Sequence, residues 1–226
     1  MHPSLLAIVL GAVSADSTHL YRVLLLRAAP GELVNVLDLY QRHLPAYDVA
    51  HQPRPFIMRH SQGDQWDLLL LYPMTTDHAT PGEDPGFTAQ LLPRVAWREE
   101  TFVAGPPRDS VAAALAAGEF YHIEMHIALP GRQADLRHER EMENAFERWL
   151  GRPEDLIFTR VAGASWDIIT IGTFRDIRHY AESADIPPAR QDSAARAAGY
   201  ASADAIGPYL RTLISSHHDT LARAVH

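Results

Sequence analysis

Residues 21–67 read YRVLLLRAAPGELVNVLDLYQRHLPAYDVAHQPRPFIMRHSQGDQWD, and residues 121–167 read YHIEMHIALPGRQADLRHEREMENAFERWLGRPEDLIFTRVAGASWD. Laid over each other without a gap, Tyr21 meets Tyr121, Ala28 meets Ala128 and Pro30-Gly31 meets Pro130-Gly131. Pro53 likewise meets Pro153, Gly63 meets Gly163 and Trp66-Asp67 meets Trp166-Asp167. Between the identities the character is kept, as in Val23/Ile123, Met58/Phe158 and Leu68/Ile168, so the two stretches read as a duplication. A chain of 226 residues is long enough for one large domain or two small ones, and the repeat predicts two similar halves packed as one unit.

Each half reads strand, helix, strand, tight turn, strand. In the first, Tyr21 to Arg27 is rich in β-formers, Pro30-Gly31 interrupts it, and Leu33, Leu37, Tyr40 and Leu44 recur at helical spacing. Gly63 suits a hairpin turn between the next two strands. In the second half Tyr121 to Ile127 is the strand, and Leu136, Met142, Phe146, Trp149 and Leu150 stripe the helix. The strand after each turn is apolar on both faces: Trp66, Leu68 and Leu70 alternate with Leu69 and Leu71, as Trp166 and Ile168 do with Ile169 and Ile171. Such strands are covered twice, so helices should take one face and the sheet of the other half the second.

Two segments depart from the repeat. Residues 74–96 read as a loop leading into a short helix, residues 97–104 as an extra strand, and Gly105-Pro106-Pro107 as the link between halves. The second half instead carries an insertion around Ile186-Pro187-Pro188. A long amphipathic helix is predicted from about Ser202, striped by Ile206, Tyr209, Leu210, Leu213, Ile214 and Leu221.

The doubled β-α-β-β order with a further helix, the two Pro-Gly pairs and the Gly-x-x-Trp-Asp turns at Gly63–Asp67 and Gly163–Asp167 resemble the dimeric α/β-barrel superfamily of ferredoxin-like domains. Within that superfamily the chain is most similar to tandem, NIPSNAP-like members, over residues 20–182. The resemblance implies an α+β fold: two tandem ferredoxin-like repeats, 16–106 and 107–226, forming an intrachain α/β barrel with helices outside. A fourth strand is missing from the pattern of the second half, where the C-terminal helix stands in for the second helix of the repeat. Relatives of this kind include cofactor-independent monooxygenases, haem-binding peroxidase-like and chlorite-dismutase-like enzymes, small isomerases and stress-response binding proteins. None has a motif that maps residue by residue onto this chain.

A formal net charge of −8 and the lack of any Lys/Arg run argue against a nucleic-acid or anionic-membrane surface. With no cysteine, disulfides, thiolate nucleophiles and cysteine metal sites are impossible. Residues 1–15 read as a cleaved export signal: Leu5–Val13 is apolar, and Val13 and Ala15 fit the small-residue positions before a mature terminus at Asp16. A core strand or a mis-assigned start are the alternatives, and the run is too short to span a bilayer as a helix. The expected location is periplasmic or secreted. Exposed sheet edges in each half predict a homodimer.

Duplication supplies an internal control for function. Arg22, Leu24 and Leu26 correspond to His122, Glu124 and His126, three polar side chains on one face of a strand, roughly 6–7 Å apart in succession. Two imidazoles and a carboxylate are a set that could hold a divalent metal. They are equally an acid/base pair lining a small-molecule pocket, or simply a hydrated and paired strand face. His217, four residues after Leu213 on the predicted helix, is either a core histidine or the completion of a cluster with His122 and His126; His218 reads as a solvated flank. On the helix over residues 135–150 a charged solvent face is expected, with Arg140 and Glu143 at the edge of the stripe.

Trp66-Asp67 and Trp166-Asp167, being common to both halves, read as structural. P-loop, G-x-G-x-x-G, G-x-S-x-G and H-E-x-x-H signatures are absent. Haem would have to use His179 or His217. The expected function is an exported small-molecule-binding or stress-type protein with its pocket in the second half. The alternatives are an oxidoreductase or isomerase using a His/Glu site, with metal or haem, and a structural self-associating protein.

Overall fold

The structure, a computed structural model, describes residues 19–74 and 84–225. The first half runs β1 (His19–Ala28), α1 (Leu33–Val49), β2 (Phe56–Gln62), β3 (Leu68–Pro73), α2 (Pro85–Leu91) and β4 (Val95–Gly105). After α3 (Arg108–Ala116) the second half repeats the order with β5 (Phe120–Ala128), α4 (Gln133–Leu150), β6 (Leu156–Gly163) and β7 (Ile168–Phe174). Three helices follow, α5 (Ile177–Ala181), α6 (Pro188–Ala197) and α7 (Ile206–Arg211), and then β8 (Ile214–Val225). The strands close into one antiparallel barrel in the order β1-β3-β2-β8-β5-β7-β6-β4.

The registers keep the spacing of the repeat: Leu24 lies opposite Leu70 and Glu124 opposite Thr170. Identical residues in the two halves have identical jobs. Pro30-Gly31 turns the chain between Ala29 O and Glu32 N, and Pro130-Gly131 does so between Leu129 O and Arg132 N, each at 2.9 Å with a left-handed glycine. Asp67 accepts from Ala28 N at 2.8 Å and Asp167 from Ala128 N at 2.9 Å, closing the end of β1 and of β5. Trp66 is buried in the barrel and Trp166 donates to Glu99 at 2.7 Å. The Trp-Asp pairs are therefore structural, as their recurrence predicts.

Apolar residues fill both faces of the sheet for the reason read from the sequence. Tyr21, Val23, Leu25, Leu69, Leu71, Tyr121, Ile123, Met125, Ile169 and Ile171 point inward and pack together, with Val111 and Leu115 of α3 joining them. On the outside, Leu24, Leu26, Leu68 and Leu70 pack under Val36, Leu39 and Tyr40 of α1, while Ile157 and Ile168 pack with Leu136 of α4 and Leu210 of α7.

The predicted C-terminal helix is a correction. Only Ile206–Arg211 is α-helical, and Ile214–Val225 is a strand that pairs with β2 on one side and β5 on the other. Ile206 to Ile214 carries the apolar spacing of a helix, but the remaining sequence is held extended by two ladders of hydrogen bonds that local spacing cannot reveal. This strand is the fourth strand that the second half had lacked, and it closes the barrel. Closure also removes the free edges on which the homodimer expectation rested. Among the described residues no helix is long and apolar enough to cross a membrane. The export-signal reading lies outside the described residues.

Candidate functional site

The outer faces of the two halves are built alike and filled differently. In the first, β1 presents Leu24 and Leu26 to an apolar α1, and the Arg22 guanidinium lies 4.2 Å above the Tyr72 ring. In the second, the same positions of β5 carry Glu124 and His126, and α4 answers with charge. Glu139 is fully buried and Arg140 only 2% exposed, where the sequence had suggested a solvent face for Glu139. Burying a carboxylate and a guanidinium requires partners. Arg140 finds three, at 3.1 Å from Glu124, 2.6 Å from Glu139 and 2.6 Å from Glu143. Thr170, where the first half has Leu70, donates to Glu124 at 3.2 Å, and Tyr200 donates to Glu139 at 3.0 Å.

The neighbouring strand completes the patch. β8 runs antiparallel to β5 with His217 opposite His126 and Asp219 opposite Glu124, so all four side chains share one face. His217 thus lies beside His126 on this face, and it arrives from a strand and not from a helix. Its Nε2 is 3.3 Å from Asp219 Oδ2, and its ring stacks on His126 at 6.0 Å between centroids. His122 Nε2 lies 3.6 Å from Asp219 Oδ1, with the Tyr180 ring 5.3 Å away. His122, Glu124 and Asp219 bring one ligand atom each within 4.8 Å of one another. His126 stands outside this convergent set: it is fully buried, neither ring nitrogen makes a hydrogen bond of regular geometry, and Nε2 is 3.9 Å from Glu124 Oε1. His218 faces the other way, its side chain 42% exposed, and pairs with Asp64 at 3.0 Å against the Trp166 ring.

The sequence reading missed Asp219, Glu139, Asp155, Tyr180 and Tyr200. Asp219 was legible only to a reader who placed residues 214–225 in a strand, since His217 and Asp219 then share a face. The patch sits on the outside of the barrel beneath α4 and not in its lumen. It is deep at His126 and open at Asp219, whose side chain is 52% exposed.

Electrostatics follow from five carboxylates, on Glu124, Glu139, Glu143, Asp155 and Asp219, set around the guanidinium of Arg140. Burial, with Glu124 adding to it, pushes the Asp155 and Glu143 carboxyls up to about 7. The imidazole of His122 holds Asp219 down at about 2. Burial disfavours a charged His122, yet Asp219, Glu124 and Asp155 outweigh it and raise its pKa. Burial drives His126 the other way, down to about 3, with Arg140 and His217 adding repulsion, so it is a neutral imidazole. One face thus holds a protonatable histidine, a neutral one, and carboxyls poised near neutrality.

Of the two histidines considered for haem, His217 pairs with Asp219 through Nε2 at 3.3 Å, and His179 Nδ1 accepts from Arg175 N at 3.2 Å beside Phe174. Away from the patch, an apolar cleft of about 380 Å³ lies between Phe56 and Met58 of β2, Leu115 of α3 and Tyr121. Its one charged lining residue, Arg54, is paired with Asp48.

Neither a protein-family model nor a curated protein sequence matches the chain. Solved structures do match in fold. An anthrone oxidase-like protein superposes with a TM-score of 0.59 at 10% identity, covering 95% of this chain and 94% of that one. A provisionally assigned monooxygenase from Lactobacillus acidophilus gives 0.57 at 6% identity over 93% and 95%, and a provisionally assigned chlorite dismutase 0.52 at 13% over 92% and 96%. At these identities the likeness is one of fold, and the fold of this chain is that of the α+β barrels to which its repeat bears a resemblance.

Proposed function

We propose that the second half carries a small-molecule site on its outer sheet face, built from His122, Glu124, His126, His217 and Asp219 under α4. The supporting observation is the contrast between halves. The first half shows that leucines suffice at these positions to hold sheet to helix, so the buried charges of the second are not needed for the fold and burden it. The acidic surroundings favour a ligand that brings a cationic or hydrogen-bond-donating group. The matched registers and the doubled element order support descent from one ferredoxin-like unit in a tandem, NIPSNAP-like arrangement, and the first 15 residues support export to the periplasm or medium.

A second reading, an oxidoreductase or isomerase, is favoured by the His122–Asp219 pair at the open end of the patch. A histidine whose proton is shared with a carboxylate is suited to take a proton from a substrate carbon or hydroxyl and return it. The fold neighbours are named as oxidases and monooxygenases, and proton abstraction is the part of such chemistry that these residues would supply.

The test is the doubly substituted protein with His122→Leu and His126→Leu, compared with the wild type after purification from the native host. Native mass spectrometry should find a small molecule on the wild type and none on the variant, with unchanged circular dichroism. A more stable variant with the same bound molecule, or none on either, would make the patch structural. Intact mass beginning at Asp16 tests export.

A further inference from the structure

We infer that His122, Glu124 and Asp219 form a binding site for one divalent transition-metal ion. The inference rests on reading this face as a functional site and gives that site a cofactor class. Three observations carry it.

The first is how the donors are held. Glu124 Oε2 accepts from Arg140 at 3.1 Å and from Thr170 at 3.2 Å, and Oε1 is engaged by neither. Asp219 Oδ2 is taken by His217 Nε2 at 3.3 Å, which leaves Oδ1 facing His122 Nε2 at 3.6 Å. Each carboxylate therefore has one oxygen anchored by a neighbour and the other presented to the same point. Outer partners orient metal ligands in this way.

The second is size. Bonds of about 2.0–2.2 Å at tetrahedral or octahedral angles place donor atoms about 2.9–3.6 Å apart. The His122–Asp219 separation is already at that limit, and the whole set lies within 4.8 Å. Asp219, the most exposed member, can close the remainder by a side-chain rotation.

The third comes from outside the trio. His126 is fully buried, neither ring nitrogen makes a hydrogen bond of regular geometry, and its Nε2 lies 3.9 Å from Glu124 Oε1. A buried imidazole left facing that oxygen of a carboxylate marks a position where a further group belongs. The surplus of carboxylates around Arg140 sets its sign as positive. An imidazole among the donors selects a transition ion over Mg²⁺ or Ca²⁺, and three protein ligands leave positions for water or substrate.

The experiment is calorimetric titration of the chelator-treated full chain with Zn²⁺ alone, and separately with Mg²⁺. One Zn²⁺ per chain is expected, with no heat from Mg²⁺. Affinity should fall at least tenfold in His122→Ala and in Asp219→Asn and stay unchanged in His138→Ala, which removes an exposed histidine of α4. Asp219→Asn alters a half-exposed side chain, so it decides the matter if His122→Ala does not fold. Absence of Zn²⁺ binding by the wild type, or binding that survives both substitutions, overturns the site and marks any zinc as adventitious. A chain that takes no Zn²⁺ but loses its small molecule when His122 and His126 become Leu would keep the acid–base site and lose the metal alone.

Discussion

Tyr21 and Tyr121 occupy one place in the repeat, and burial raises both phenols to about 12. Tyr21 donates to Pro106 O at 2.7 Å, and Tyr121 to Leu115 O and Gly118 O, each at 3.2 Å. Their folded pKa values lie above the unfolded value of about 10, so the unfolded chain releases protons first as the pH rises. Stability from these groups is whole below pH 10 and is lost between about 10 and 12, at about 1.4 kcal/mol per pH unit for each. Denaturant midpoints measured between pH 9 and 12 should fall for the wild type and fall less steeply for Tyr121→Phe, with Tyr21, Tyr180 and Tyr200, whose phenols burial also raises, accounting for the slope that remains. Arg140 supplies a second test at this scale. Arg140→Met leaves Glu124, Glu139 and Glu143 without their cation, and urea unfolding at pH 8 should show a loss of about 3–5 kcal/mol. The polar character of the β5 face could be read from the sequence, because the duplicate supplied leucines for comparison. The depth of Glu139 and Arg140 could not. A charged helix face reads the same whether it meets water or a charged sheet.

Among the elements, the two Gly-x-x-Trp-Asp turns show how the halves lock. Gly63 has a φ of +126°, and a Cβ there would sit 2.2 Å from Asp219 O on β8; Gly163 has a φ of +101°, and a Cβ there would sit 2.5 Å from Glu100 O on β4. Each turn is thus pressed against the last strand of the opposite half, which only a glycine permits. Gly163→Ala should cost about 2 kcal/mol or more in a denaturant melt. Gly63→Ala should cost as much and also displace Asp219. The short helix α7 followed by β8 is where sequence reading failed. The inward residues Thr220, Ala222 and Ala224 are small, and His217, Asp219 and Arg223 point outward, so β8 lacks the alternation of large apolar and polar residues that announces a strand. Its conformation comes from β2 and β5, which lie far away in the chain.

For the whole molecule, β8 is the strand that joins the halves on one side of the barrel, as β4 and β6 do on the other. Removing residues 214–226 would expose the edges of β2 and β5 together. The truncated chain should elute as oligomers or aggregates in gel filtration, where the full chain elutes without them. It would also lose His217 and Asp219, so any retained Zn²⁺ binding would contradict the assignment of that site.

By itself the sequence determined the internal repeat, the order of strands up to β7, the burial of both sheet faces, the turns at Pro30-Gly31 and Gly63, and the strand position at which the halves diverge in chemistry; helix α3 was not legible in it. These are properties of local spacing and of one half set against the other. Only the tertiary structure decided that the last segment is a strand, that this strand closes the intrachain barrel which the family resemblance implied, and that His122 and Glu124 meet Asp219 instead of His126. Those outcomes depend on hydrogen bonds and charges between residues far apart in the chain, whose pairing no local pattern encodes.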